Sequence, residues 1–250
     1  MKALGVLLSA VLLAGCGTRT VFQEGAARRG ECVVLLHGLW RGAWMMAPLA
    51  RRLHAAGYSV LNVDYPSRAA PIETLAERHL APAVARHCAG RRMHFVTHSM
   101  GALLVRAYLA GRPAARVGRL ILIAPPNRGS ALVDRFGAWP LVGAALGPAG
   151  RQLSSAADAP PRRLGPLPAP AVVLAGTASF NPLFSALLAG PDDGRVAVTE
   201  TRIEGVVRVE TFPCDHDGLV CCPGLAERVL ALLAADDWRP GQESNLRPSP

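Results

Sequence analysis

The chain has 250 residues, half of them hydrophobic, enough for one large domain with a buried core; this excludes disorder as the starting expectation. Its formal net charge is +9, yet Lys2 is the only lysine and the arginines are scattered rather than gathered in one segment. That pattern argues against a nucleic-acid partner and fits weak attraction to an anionic membrane surface.

The first element is a leader. Lys2 supplies a positive start and residues 3–14 a short apolar run, too short to span a bilayer comfortably, so residues 1–15 read as a signal peptide. It ends in Leu13-Ala14-Gly15-Cys16, which resembles the lipobox of bacterial lipoproteins. The resemblance implies cleavage before Cys16, lipidation of that cysteine, and anchoring in the cell envelope. Gly17, rather than an aspartate, follows the cysteine and favours the outer membrane, facing the periplasm. Residues 16–30 read as a tether between lipid and domain.

A folded domain is expected over residues 31–235. Residues 32–36 form an apolar run ending in His37-Gly38, read as a buried strand; residues 42–56 have helical periodicity, stopped by Gly57. Residues 58–63 are the next strand. Residues 72–88 form a helix interrupted near Pro82, residues 93–96 a strand, residues 102–110 a helix and residues 120–124 a strand. Strands alternating with helices predict an α/β fold with a mainly parallel sheet flanked by helices, its active groups at the carboxyl ends of the strands. Residues 127–169 break the rhythm and read either as a cap or lid, or as a surface loop with one short helix. Residues 171–174 and 206–210 are further strands, Asp192-Asp193-Gly194 a sharp turn, and residues 224–234 a last helix. From residue 236 the tail is polar and proline-rich and reads as disordered; residues 241–248 look like translated non-coding sequence.

Five cysteines lie beyond Cys16. In an exported protein they are free to pair, and Cys214 with Cys221 or Cys222 would close a short loop around His216. The odd count leaves at least one thiol unpaired. Cys32 and Cys88 read as buried free thiols. The spacing lacks two ligand pairs for zinc, so no metal and no cofactor is expected.

The chemistry centres on Thr97-His98-Ser99-Met100-Gly101, set between a strand and a helix. That is the layout of a nucleophile elbow, in which a strained turn lifts a serine hydroxyl above the sheet. Gly101 meets the need for a small flanking residue, whereas Thr97 stands where glycine is usual. A serine nucleophile needs a base, an orienting acid and an oxyanion hole. Of seven histidines only His216 follows Ser99 in sequence, in the loop after the last strand. His98 lies inside the elbow, outside the nucleophile's role, and His37 is expected to hold its loop by hydrogen bonds. Asp193 precedes His216 and is the candidate acid, with the neighbouring Asp192 as its rival. The backbone N–H groups of Leu39, after His37-Gly38, and of Met100, after the serine, are the candidate oxyanion donors. Leu39, Trp40, Trp44 and Met100 are read as an apolar entrance.

On these residues the chain resembles the lipase/esterase branch of the α/β-hydrolase superfamily. Val34-Leu35-Leu36-His37-Gly38-Leu39 is similar to the family's oxyanion strand and loop, and Val96-Thr97-His98-Ser99-Met100-Gly101 to its elbow. Ala175-Gly176-Thr177 with Asp193-Gly194-Arg195-Val196 is similar to its acid-bearing region. The resemblance implies an α/β-hydrolase fold and a Ser99–Asp193–His216 triad that hydrolyses carboxylic esters, with a small-molecule or lipid ester as substrate. An acyltransferase or thioesterase on the same triad, and a non-catalytic envelope lipoprotein, are the alternatives.

Overall fold

The computed structural model describes residues 19–112 and 114–235. The leader, Cys16 and the tail from residue 236 lie outside the described residues. Seven strands form one sheet in the order β1-β3-β2-β4-β5-β6-β7. They are β1 (Val21–Gln23), β2 (Arg28–Leu36), β3 (Tyr58–Val63), β4 (Arg92–His98), β5 (Val117–Ile123), β6 (Ala171–Gly176) and β7 (Val206–Phe212). All neighbours pair in parallel except β1, which runs antiparallel to β3. The α/β fold with a mostly parallel sheet is therefore as expected. The central strands read as continuous apolar runs because helices cover both faces: β3 and β6 are buried at every residue.

Helices α1 (Ala43–Ala55) and α8 (Leu225–Ala234) cover one face, where Met46, Leu49, Leu53, Val229 and Leu233 pack on Val33, Leu35, Val96 and Ile121. The other face carries α2 (Ile72–Leu75), α3 (Ala81–His87) and α4 (Gly101–Leu109), packed on Val34, Leu36, Phe95 and Leu122. The expected interruption of the 72–88 helix is a π-helical turn, Ala76–Leu80, between α2 and α3. Pro82 lacks an amide hydrogen and its ring crowds the preceding turn, which the wider π turn accommodates.

Three features differ from the sequence expectation. Part of the stretch read as a tether belongs to the sheet, since β1 pairs Val21 with Asn62 and Gln23 with Val60, and β2 begins at Arg28. Three residues are too few for a legible period, so this edge strand is set by its partner rather than by its own pattern. Cys32 and Cys88 are not free: they form a disulfide that joins β2 to the C-terminal end of α3, their Cα atoms 5.8 Å apart. In the second disulfide Cys214 chooses Cys222, leaving Cys221 as an exposed free thiol.

The stretch after β5 folds into α5 (Ala131–Phe136), α6 (Pro140–Arg151) and α7 (Pro160–Arg163), with α6 broken at Gly147, where φ is +67°. Buried Arg106 of α4 holds this insertion to the core by donating to the carbonyls of Asn127, Pro161 and Gly165. Glu200 adds a second tie, accepting from the amides of Ala131 and Ala197.

Thr97 sits in β4 between Leu36 of β2 and Leu122 of β5, fully buried. Its hydroxyl has no hydrogen-bond partner among the described residues. Its β-branched side chain thus serves as strand packing, and its oxygen is a cost. Thr97→Val should leave the fold intact and raise the unfolding free energy by about 1 kcal/mol. Thr97→Gly, the usual elbow residue, should lower it by roughly 1–3 kcal/mol through the vacated volume. Urea denaturation midpoints check both.

Candidate active site

The elbow begins with backbone geometry. Ser99 adopts φ +53° at the end of β4, just before α4. A non-glycine residue in this left-handed region is strained by roughly 1–2 kcal/mol. The turn is held by the Ser99 amide, which donates to the carbonyl of Ile123 at 2.8 Å. Close packing then explains the glycines. A Cβ at Gly101 would stand 2.8 Å from the carbonyl oxygen of His37, and one at Gly38 would stand 2.9 Å from the Ser99 Cβ.

The structure brings Ser99, His216 and Asp193 together although they lie far apart in sequence. Ser99 Oγ is 3.0 Å from His216 Nε2, and His216 Nδ1 is 2.7 Å from Asp193 Oδ2. All three residues are buried. The second carboxylate oxygen of Asp193 accepts from the amides of Arg195 and Val196, and its backbone carbonyl accepts from the His216 amide at 3.0 Å. Asp193 therefore fixes both the ring and the backbone of the histidine. The rival Asp192 is turned away and accepts from the Ser185 hydroxyl and the Gly194 amide. Gly176 allows the approach of acid and histidine loop, since a Cβ there would lie 2.7 Å from the Asp193 Cβ and 2.5 Å from the Cys214 carbonyl oxygen.

His98 is closer to the site than the sequence suggested. Its Nε2 donates to the carbonyl of His216 at 2.9 Å, and the two rings lie 4.8 Å apart. Burial, reinforced by the neighbouring imidazole, lowers its pKa to about 3. His37 holds its loop: Nδ1 donates to the Gly38 carbonyl, Nε2 accepts from the Tyr65 amide, and Tyr65 stacks on the ring and donates to the His37 carbonyl. Burial lowers the His37 pKa to about 4. Both imidazoles are thus neutral props.

Leu39 borders the pocket beside Ser99, and Met100 caps the start of α4. Neither residue's amide is bonded to a carbonyl or side chain of the described residues. The cavity above Ser99 has a volume of about 280 Å³. Leu39, Leu132, Val133, Leu146, Leu153 and Phe184 form an apolar wall, most of it supplied by the insertion. Trp40 lines the mouth, but Trp44 and Met100 do not line this cavity: Trp44 stays exposed beyond it, and the Met100 side chain packs in the core.

The sequence reading also missed a charged cluster at the mouth. Asp217 accepts two bonds from Arg41 and one from Arg195, a residue that lines the pocket. Burial pushes the Asp217 pKa up, but bonding to Arg41 and the charges of both arginines outweigh that and hold it below the usual carboxylate range. Arg41 and Arg195 lie 154 positions apart, so no local spacing could have paired them.

The lowered pKa values of His37 and His98 carry a stability consequence. On acidification the unfolded chain takes up protons that the folded imidazoles refuse, so stability falls as pH drops below about 6.5. Between about pH 7 and about pH 5 each imidazole should remove roughly 2 kcal/mol of unfolding free energy. His98→Gln should flatten that dependence, which urea unfolding at the two pH values would measure.

Among solved structures the chain is similar to Bacillus licheniformis lipase BlEst2 in its mature form, at 19% identity and a TM-score of 0.63, covering 80% of this chain and 91% of that one. It is also similar to phospholipase PlaB from Legionella pneumophila, at 17% identity and a TM-score of 0.66, covering 82% of this chain and 59% of that one. A monoacylglycerol lipase from Paleococcus ferrophilus matches at 19% identity and a TM-score of 0.54, covering 86% and 97% of the two chains. At these identities the likeness speaks for the fold. A search of curated protein sequences gave no match. The model of the alpha/beta hydrolase family matches residues 33–244, most of the sequence. The chain belongs to the alpha/beta hydrolase family.

Proposed function

We propose that the chain is a serine hydrolase of carboxylic esters, with Ser99 as nucleophile, His216 as base and Asp193 as its orienting acid. One observation carries this reading: the unbroken hydrogen-bonded line from Ser99 Oγ through His216 to Asp193, starting at a serine in a left-handed turn. Asp193 accepts the Nδ1 proton and so selects the tautomer whose Nε2 is free to take the serine proton. Ser99 Oγ attacks the acyl carbon while His216 removes its proton. The amides of Leu39 and Met100 donate to the oxyanion that forms. His216 then returns the proton to the leaving alcohol, and an acyl-serine remains. Water, deprotonated by the same histidine, releases the acid.

The apolar wall over the serine supports an acyl chain as the group it receives. Proteins of similar fold described as a lipase, a phospholipase and a monoacylglycerol lipase are consistent with ester substrates. The Leu13-Ala14-Gly15-Cys16 run supports a further part of the proposal: that Cys16 is lipidated and holds the hydrolase at the bacterial envelope, at the outer membrane facing the periplasm.

A fluorophosphonate probe tests the chemistry. Wild type should be labelled and Ser99→Ala should not; an unlabelled, folded wild type would sink the reading. Asp193→Asn should lower kcat on a p-nitrophenyl ester by about ten-thousandfold, as expected when the histidine loses its tautomer. Asp192→Asn should keep most of the activity, and equal losses would reassign the acid.

A further inference from the structure

Eight large apolar side chains are exposed among the described residues, and their positions in the topology coincide. Trp40 and Trp44 follow the carboxyl end of β2. Trp139 and Leu141 belong to the insertion that leaves β5. Phe180, Leu183 and Leu187 lie in the segment after β6. Val21 opens β1, beside Asn62 near the carboxyl end of β3. All eight therefore sit in segments at the edge of the sheet that carries Ser99. Leu141 and Phe180 are each 87% exposed, and it is the gathering of such groups at one end of the sheet, rather than any single one, that marks an interaction surface.

Aromatic contacts tie part of this set to the pocket mouth. Phe136 touches the Trp139 ring at 5.1 Å and the Phe184 ring at 6.2 Å, and Phe184 lines the pocket. On the other side of the mouth Arg68 stacks 3.9 Å over Trp40 and donates to the Ala144 carbonyl in α6. Basic groups are interleaved with the apolar ones. Arg135 lies 5.7 Å from the Phe136 ring, and Arg41 and Arg195 share the single carboxylate of Asp217. The insertion as a whole (127–169) holds five arginines against two aspartates.

The chain also enters the domain at this edge. Because β1 runs antiparallel to β3, Thr20 lies beside Asp64, exchanging hydrogen bonds with its backbone. Cys16 is four residues upstream, and four residues reach at most roughly 14 Å. A lipid on Cys16 would therefore hold the pocket mouth, rather than the far end of the sheet, against the bilayer.

We infer that this edge is a membrane-docking face whose occupant is an anionic phospholipid bilayer, with the pocket opening onto it. Aromatic and aliphatic side chains enter the headgroup region while the interleaved guanidinium groups meet lipid phosphates. No described helix is long and apolar enough to cross a membrane. Delivery of an ester from the bilayer to Ser99 rests on the hydrolase reading, whereas the docking itself does not.

The test uses the full chain carrying Cys16→Ser, so that no acyl chain supplies the binding. Its partition onto phosphatidylcholine vesicles with and without phosphatidylglycerol is compared with that of the same chain carrying Leu141→Ser, Phe180→Ser and Leu183→Ser. The starting chain should bind the phosphatidylglycerol vesicles more tightly. The triple variant should bind them on the order of a hundredfold more weakly, while hydrolysing water-soluble p-nitrophenyl butyrate at the same rate and melting at the same temperature. Equal partition of the two chains, or no partition of either, would overturn the proposal. So would a dimer in lipid-free solution that the triple variant abolishes while vesicle binding is unchanged, since the face would then belong to a second copy. Vesicle binding lost in the triple variant, in a chain that hydrolyses nothing, would uphold the docking face and defeat only the ester-hydrolase reading.

Discussion

The left-handed turn at Ser99 is the constraint on which the rest of the site depends. Its φ of +53° is unfavourable for a residue with a side chain and persists only because the surroundings over-determine it. The turn joins β4, a central strand bonded on both sides by β2 and β5, to α4, whose residues from Gly101 to Arg106 are all buried. Those strand pairings and that packing cannot relax together, so the strain is held locally, with the hydroxyl at its apex. The two glycines are the complement of this strain. Gly101 lets α4 start against the carbonyls of Leu36 and His37, and Gly38 lets the loop after β2 pass the serine. Thr97 sits two residues before the serine, inside the sheet, where a β-branched residue suits a strand.

The histidine is held as firmly as the serine, by different means. The His216 amide donates to the Asp193 carbonyl, its own carbonyl accepts from His98, and its ring is fixed by the Asp193 carboxylate. The Cys214–Cys222 disulfide closes the eight-position span that contains it. A loop whose regular structure is one short 3-10 turn, Gly218–Cys221, thereby acquires the rigidity of a longer element. His98 connects the two halves of the arrangement. It is the residue immediately before Ser99 and it bonds the His216 backbone carbonyl, so the elbow and the histidine loop are tied to each other.

Much of this was legible in the sequence because it is carried by local pattern. The alternation of apolar runs with helical periods set out β2, β3, β4 and their intervening helices, and β3 was read to the residue. The strand–serine–helix order singled out Ser99, and its place as the one histidine downstream of Ser99 singled out His216. What escaped was decided by partners distant in the chain. Cys32 meets Cys88 across 56 positions, and β1 exists only because β3 offers it an edge. Asp192 and Asp193 are identical as neighbours in a turn; they part only when the backbone directs one at Ser185 and the other at His216. The role of His98 was hidden for the same reason, since its partner is a carbonyl 118 residues away.

A parallel sheet sends every strand's carboxyl end to one edge, and here that edge gathers the strained turn, the charged clamp on Asp217 and the exposed apolar groups. The opposite edge has no comparable apolar exposure among the described residues. Had β1 joined the sheet in parallel, residue 20 would have left from that opposite edge. The single antiparallel pairing therefore settles an orientation as well as a strand count: it returns the start of the domain to the side where the pocket opens. The short edge strand, the feature least visible in the sequence, is thus what ties the N-terminal approach of the chain to the geometry of the site.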